Sequence, residues 1–261
     1  MKTSNHPVSN HPGLFWIVIM LSVFLVGFDV GGEYTNNDAC GNVQLPDADN
    51  DVYGFVDVMT TFGHARKFVF GNAAFWPDDM VDCSVSGGLD CSYGDNVTAI
   101  YLHSHGGSTS EAFRITTGTT RTVDGSSTCR SYTYFNKKQW WKLGDRSLRY
   151  LFLMSCHSLE LSDLNHWDGV ARGLHVITGG DGDLYSTPGR GSSFAMLLNF
   201  PFFRLSIKNA WFSARNSGEK TVVMAYGSSQ PDAINRRDNE KLGWSITPVS
   251  PVTWRAWSWI Q

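Results

Sequence analysis

Two segments of the chain carry side chains that can do chemistry. The first, AIYLHSHGG at residues 99–107, contains His105 and Gly106, and the second, LRYLFLMSCHS at residues 148–158, contains Cys156. A histidine can accept or donate a proton, and a cysteine can attack a carbonyl carbon. A glycine after the histidine lets a backbone N–H approach a substrate closely, which suits an oxyanion hole. The Cys156 N–H is the expected second donor.

Both segments are apolar runs that stop at polar residues, a pattern typical of buried strands. Chemistry in an open parallel sheet lies just beyond the carboxyl ends of its strands. The separation between His105 and Cys156 (156 − 105 = 51 residues) leaves room for a crossover and an adjacent strand. We therefore predict that both side chains lie at one sheet edge, as acid/base and nucleophile of a covalent hydrolase.

Further elements alternate along the chain and predict an α/β layered fold, with a mainly parallel central sheet flanked by helices. Apolar runs at residues 174–178 and 222–225 predict two more strands. Residues 192–199 and 207–215 have helical patterns, and residues 52–59 fit either a helix or a strand.

Other stretches predict less regular structure. Residues 106–131 are rich in Gly, Ser and Thr and predict a long loop across the active edge. Trp140 and Trp141 are expected on a short helix, and residues 77–82 fit a helical turn after a proline. The Trp- and Pro-rich tail is expected to be irregular.

Composition narrows the classes of partner. The chain is 42% hydrophobic and 17% charged, which is typical of a globular protein. Its net charge is −3 and it has no basic run, so nucleic-acid binding is not expected.

The amino terminus predicts export. Residues 14–28 are apolar and uncharged, about as long as a signal-peptide core and short of the ~20 residues of a spanning helix. A cut after Gly32 fits the preference for small residues. We therefore expect a signal peptide or N-terminal membrane anchor over 1–32, a polar leader loop over 33–50 and one domain over 51–261. The protein would be secreted or held in the cell envelope, and would touch the membrane only through an uncleaved amino terminus.

Five cysteines in an exported chain leave at least one thiol unpaired within the chain. Cys83 and Cys91 bracket a Gly-Gly turn and are candidates for a local disulfide, which leaves Cys40 and Cys129 for each other. Four cysteines allow three connectivities, so other pairings stay open. Cys156 is the expected free thiol; a small buried core residue is the alternative.

The two strands together resemble the caspase-like cysteine peptidases, a group that includes caspases, gingipains and legumains. In that group one apolar strand ends in His-Gly and a later one ends in a small residue and the nucleophilic cysteine. The sequence is similar, more closely, to a little-characterised bacterial domain family of unknown function assigned to this fold. GNAAFWPDDM, GLHVITGG and KNAWFSA carry that resemblance, which spans roughly residues 50–260.

The resemblance implies amide-bond hydrolysis of a protein or peptide through an acyl-enzyme, with no metal or organic cofactor. It implies Cys156 as nucleophile, His105 as base and acid, and the Gly106 N–H as oxyanion donor. The chain departs from caspases after the cysteine. It has His-Ser-Leu where they have an Arg-Gly type pair, which puts a preference for Asp in doubt.

The sequence GGDGD at residues 179–183 follows the third predicted strand. We predict that Gly179, Gly180 and Asp181 line the substrate site, with Asp181 or Asp183 receiving a basic side chain. An ordinary Gly/Asp turn is the alternative.

Two other functions stay open. A non-catalytic secreted binding module could have the same fold. A zinc-dependent hydrolase could use His103, His105 and either Cys156 or His157, although no metal-binding spacing supports it. His103 is otherwise expected to be a buried, hydrogen-bonded strand residue.

Overall fold

The computed structural model describes residues 27–36, 44–109, 112–118, 129–134 and 140–261. The strands are β1 (Asp29–Tyr34), β2 (Ala65–Gly71), β3 (Ala99–His103), β4 (Gly106–Ser108), β5 (Phe113–Gly118), β6 (Cys129–Tyr134), β7 (Tyr150–Met154), β8 (Val176–Gly180), β9 (Thr221–Gly227) and β10 (Trp254–Ile260). The α-helices are α1 (Ala48–Thr61), α2 (Arg190–Asn199), α3 (Ile207–Ser213) and α4 (Gln230–Asn239). Short 3₁₀ helices cover Asn72–Ala74, Pro77–Met80 and Leu164–Trp167.

The described strands form a seven-stranded sheet in the order β10-β9-β8-β7-β3-β1-β2. The five strands from β2 to β8 are parallel to one another, whereas β9 and β10 are antiparallel to their neighbours. The fold is therefore a layered α/β fold with a mostly parallel central sheet, as predicted. All five parallel strands end at one edge, which we call the carboxyl edge, and begin at the opposite amino edge.

The central strands are apolar on both faces because both faces are buried. Every residue of β3, β7 and β8 is buried. One face packs against helices; α1, for example, contributes Phe55 and Met59, one turn apart. The opposite face is covered mainly by loops, with Trp141, Trp167 and Phe113 as large buried side chains.

The expected loop over residues 106–131 is wrong, because β4, β5 and β6 form a separate three-stranded antiparallel sheet. Gly106 pairs with Ile115, and Ile115 pairs with Thr133. Frequent Thr and Ser suggested a loop, but threonine also suits strands. β4 begins at Gly106, directly after His105, so the small sheet lies at the carboxyl edge.

The expected leader loop over 33–50 is corrected at its two ends, and residues 37–43 lie outside the described residues. β1 begins at Asp29 and lies between β2 and β3, and α1 begins at Ala48. A cut after Gly32 would remove four of the six residues of β1 and the pair between Val30 and Ala99. This strand was not predicted from the sequence because two of its six residues are glycines. A side chain at Gly32 would overlap Val52 of α1, so close helix–sheet packing requires the glycine.

The carboxyl-terminal tail is not irregular, since β10 pairs with β9 along its whole length. Helix α4 lies between these two strands in the chain and was not predicted. Trp140 lies in a turn and Trp141 in an irregular segment, so neither is on the expected helix. No helix in the described ranges is long and apolar enough to cross a membrane.

Candidate functional site

The histidine and cysteine segments meet at the carboxyl edge. β3 and β7 are adjacent and parallel, and His103 is the register partner of Met154. His105 and Cys156 each follow that last pair by two residues. The ladder continues one step further, because the Ser104 N–H donates to the Met154 carbonyl at 3.3 Å. The structure thus places both residues at the same sheet edge on neighbouring strands.

Gly106 lies directly against the cysteine. A Cβ atom at this position would overlap the carbonyl oxygen of Cys156 and Oγ of Ser155, and would lie 2.8 Å from the Phe113 ring. Only glycine permits this approach. The backbone between His105 and Gly106 is therefore held above the cysteine.

Hydroxyl groups fix the two segments to each other. Ser155 Oγ donates to the Ser104 carbonyl at 2.8 Å, and Ser104 Oγ donates to the Thr116 carbonyl at 2.7 Å. The Thr116 N–H donates to the His105 carbonyl at 3.0 Å. These bonds tie the ends of β3 and β7 to β5 and leave little freedom for the His105 backbone.

The register of β4 and β5 bears on the proposed oxyanion donor. His105 and Thr116 form a hydrogen-bonded pair, so the next pair, Gly106 with Ile115, is a non-hydrogen-bonded one. The Gly106 N–H therefore points away from β5.

The Cys156 thiol contacts the backbone of Leu184. Sγ donates to the Leu184 carbonyl at 3.6 Å, and the Leu184 N–H donates to Sγ at 3.4 Å. Burial raises the pKa of Cys156, and Asp183 and Glu219 add to the rise. The Leu184 N–H opposes the rise without cancelling it. The resting thiol is therefore protonated near neutral pH.

His157 lies between two carboxylates. Its Nδ1 contacts Glu160, and its Nε2 lies 3.3 Å from Oδ1 of the largely exposed Asp183. Its φ of +56° is uncommon for a residue with a side chain and marks a sharp turn immediately after Cys156. His157, Glu160, Ser108 and Phe113 also line a narrow cleft beside the cysteine.

Gly179 and Gly180 were predicted to belong to a substrate-lining loop, but they lie in a strand. Both are buried residues of β8, and the loop begins at Asp181. A side chain at Gly179 would overlap Ser158, and a Cβ at Gly180 would lie 2.6 Å from Leu184. The two glycines thus let the segments around Cys156 pack onto the sheet, and their role in lining a substrate site stays a prediction.

Asp181 already has a cationic partner within the chain. It contacts Lys220, and the Leu161 N–H donates to its Oδ1 at 3.2 Å. Burial alone would raise the pKa of Asp181, but hydrogen bonds from Glu160 and Lys220 lower it. The carboxylate is ionised and neutralised locally. Asp183, by contrast, is largely exposed.

His103 is buried and hydrogen-bonded, as expected. Its Nδ1 lies 3.0 Å from Oδ2 of Asp51, a buried carboxylate that also accepts the Tyr101 hydroxyl at 2.7 Å and the Gly191 N–H. His103 therefore faces α1, whereas His157 faces the acidic groups described above. This divergence argues against the zinc alternative.

Two groups in the described part of the chain have donor atoms close enough to hold a metal ion. They are Cys83 with Asp90 and Cys91, and Asp90 with Asp95 and Asp145. Neither group includes a residue of the candidate site.

The structure tests part of the expected cysteine pairing. Cys83, Cys91 and Cys156 are free thiols. The Sγ atoms of Cys83 and Cys91 lie within 4.8 Å of each other, so they are placed to pair. Cys40 and the Cys129 side chain lie outside the described residues.

Sequence reasoning missed Leu184 and Ser155. Leu184 acts through its backbone groups, which leave no trace in residue type. Ser155 was noted only as a small residue before the cysteine, but its hydroxyl joins β7 to β3.

This geometry defines a layered α/β protein with a thiol and a His-Gly segment joined at the carboxyl edge of its sheet. The chain belongs to the family of a domain of unknown function, DUF6345, whose profile matches residues 32–259. The match confirms the resemblance to a family of unknown function and extends it toward the amino terminus. No curated protein matches the chain.

Proposed function

We propose that this protein is an exported cysteine-peptidase-like hydrolase of the caspase-like kind, with Cys156 and His105 as its dyad. The close packing of Gly106 on Cys156 carries the proposal. It brings the backbone segments that carry His105 and Cys156 together at the edge where parallel sheets hold their ligands.

The proposed reaction begins with a protonated thiol. As Sγ of Cys156 attacks the carbonyl carbon of an amide, its proton passes to the His105 imidazole. The tetrahedral oxyanion accepts hydrogen bonds from the N–H groups of Gly106 and Cys156. The carbon–nitrogen bond then breaks, and His105 returns the proton to the leaving amine. Water hydrolyses the thioester, which releases the acid and restores the thiol.

The raised pKa of Cys156 supports proton transfer during attack rather than a preformed thiolate. A substrate carbonyl must also draw Sγ away from the Leu184 backbone. Exposed Asp183, beside the cysteine loop, favours a substrate with a basic side chain near the cleaved bond.

The test is covalent labelling with peptides that carry an electrophile in place of the scissile amide. Three probes, with a basic, an acidic or a neutral residue before the electrophile, are compared on the whole chain. We expect the basic probe to modify Cys156 fastest. His105→Ala should slow labelling by about 10²-fold or more, the scale of a lost acid/base group. Cys91→Ser is the matched thiol control and should label at the unchanged rate.

A non-catalytic binding module is the second candidate. The engagement of Sγ by both backbone groups of Leu184 favours it, because that contact occupies the thiol. This candidate predicts that a small alkylating reagent modifies Cys156 whereas no peptide probe does. It also predicts equal alkylation rates in the parent chain and in His105→Ala. That combination would refute the hydrolase.

A further inference from the structure

The end of the molecule opposite the candidate site carries exposed aromatic side chains. We name this surface the amino-edge patch and define it by Phe200, Phe202, Phe203, Trp244 and Ile246, with Arg204 and Lys241 beside them. Phe202 is 80% exposed, Phe203 73% and Trp244 62%. Exposed aromatic side chains grouped in this way mark an interaction surface.

The phenylalanines are presented in a fixed arrangement. The chain turns sharply after α2, since the Phe203 N–H donates to the Phe200 carbonyl at 3.2 Å. The Phe200 ring stacks on Phe203 with centroids 5.9 Å apart and meets Phe202 edge-on at 6.3 Å. Because these contacts already hold the rings against one another, little conformational freedom is lost when the cluster is covered.

Trp244 extends the same surface. Arg204, which follows the phenylalanine turn, lines one open groove together with Lys241 and Trp244. Ile246 is held nearby, where the Arg149 side chain donates to its carbonyl at 2.8 Å just before β7 begins. The patch thus joins exposed aromatic rings to two cationic side chains at the amino edge.

The apolar amino-terminal segment enters the domain at this same edge. The Phe28 N–H donates to Nδ1 of His64 at 3.4 Å, and Nε2 of His64 lies 2.9 Å from Oδ1 of Asn199, the last residue of α2. The Phe28 ring also packs beside Gly243, next to Arg204. Gly27 and Phe28, the last two residues of the apolar stretch at residues 14–28, therefore lie beside the amino-edge patch.

We propose that the amino-edge patch docks on the surface of a lipid bilayer, with the apolar residues 14–26 retained as the anchor. β1 begins at Asp29, directly after the apolar stretch, so a retained anchor would join the domain without a linker. Phenylalanine and tryptophan rings, flanked by lysine and arginine, are the groups that favour the headgroup region of a membrane. The carboxyl edge then faces away from the lipid, because a five-residue strand separates the two edges by roughly 17 Å.

Oxidative footprinting of the full chain in vesicles of phosphatidylethanolamine and phosphatidylglycerol tests the proposal. Three tryptophans provide a comparison within one sample: Trp244 in the patch, and Trp257 and Trp259 on β10, which are 45% and 50% exposed. Without a covering surface Trp244 should oxidise fastest, because it is the most exposed. Docking should make it several-fold slower than Trp257 and Trp259, with Phe202 and Phe203 protected likewise.

A pair of variants checks the contribution of the phenylalanines. Phe202→Ser with Phe203→Ser should restore fast oxidation of Trp244, whereas Trp259→Ser, a matched loss of an exposed ring elsewhere, should leave Trp244 protected. Trp244 oxidising as fast as Trp257 in vesicles would overturn the proposal. Protection that rises with the protein-to-lipid ratio would also overturn it, and would assign the patch to a second copy of the chain.

Discussion

Gly106 and Cys156 lie in direct contact, and a methyl group on Gly106 would overlap the Cys156 carbonyl oxygen. This relationship joins the histidine segment to the cysteine segment more tightly than strand pairing alone, since both residues lie beyond the paired ends of β3 and β7. Its effects on the stability of the fold and on the reactivity of Cys156 can be measured separately.

Gly106→Ala should destabilise the protein by about 1–3 kcal/mol, the usual cost of forcing an atom into a packed site. It should also slow peptide-probe labelling of Cys156, because the His105 backbone must shift. Gly107→Ala is the matched control, since nothing lies within 4 Å of a Cβ there. Urea unfolding and labelling rates measure the two effects. Equal stabilities for the two variants would contradict the close contact.

The reactivity of Cys156 should rise at higher pH than that of a cysteine in an unstructured peptide. Burial raises its pKa and the nearby carboxylate of Asp183 adds to the rise, so the reactive thiolate forms later in a titration. Alkylation by iodoacetamide, followed by mass spectrometry across a pH series, measures this. Asp183→Asn should move the midpoint to lower pH. A midpoint below that of the peptide would disprove the raised pKa.

His103→Ala should destabilise the protein without removing the proposed chemistry. It removes a hydrogen-bond partner of the buried Asp51 carboxylate, and leaving a buried polar group without a partner costs about 1–3 kcal/mol. Adding Asp51→Asn should recover part of the loss, because the two residues are coupled. Thermal unfolding of the parent, the two single variants and the double variant measures this coupling. Labelling of Cys156 should persist in His103→Ala below its melting temperature, and loss of labelling in the folded variant would give His103 a role in the reaction.

Mild oxidation should join Cys83 to Cys91 and leave Cys156 reactive. Their Sγ atoms lie within 4.8 Å, and the hydrogen bond that the Cys83 thiol donates to Cys91 raises the pKa of Cys83 to about 11. Fewer thiolates form at neutral pH, so the reaction should accelerate at alkaline pH. Peptide mapping after diamide treatment identifies the pair. A disulfide from Cys156 to either residue would contradict both the pairing and the free nucleophile.

The apolar pattern of the chain was enough to predict the central strands and the residues that end them. The runs that form β3 and β7 are apolar on both faces. This pattern can be recognised in each run alone, without knowing which strand pairs with it. The same runs located His105 and Cys156 at one edge, because parallel strands end together. Helices α2 and α3 were also predicted, since their apolar positions recur at helical spacing.

Tertiary structure decided the remainder. β1 contains two glycines and a glutamate, and it is a strand only because β2 and β3 flank it and α1 packs closely on Gly32. Gly179 and Gly180 had the composition of a turn but lie in β8, where the packing of Ser158 and Leu184 requires glycine. The contact of Leu184 with Cys156 passes through backbone atoms that every residue has. Such relationships depend on which segments meet in space, and residue type alone does not encode that choice.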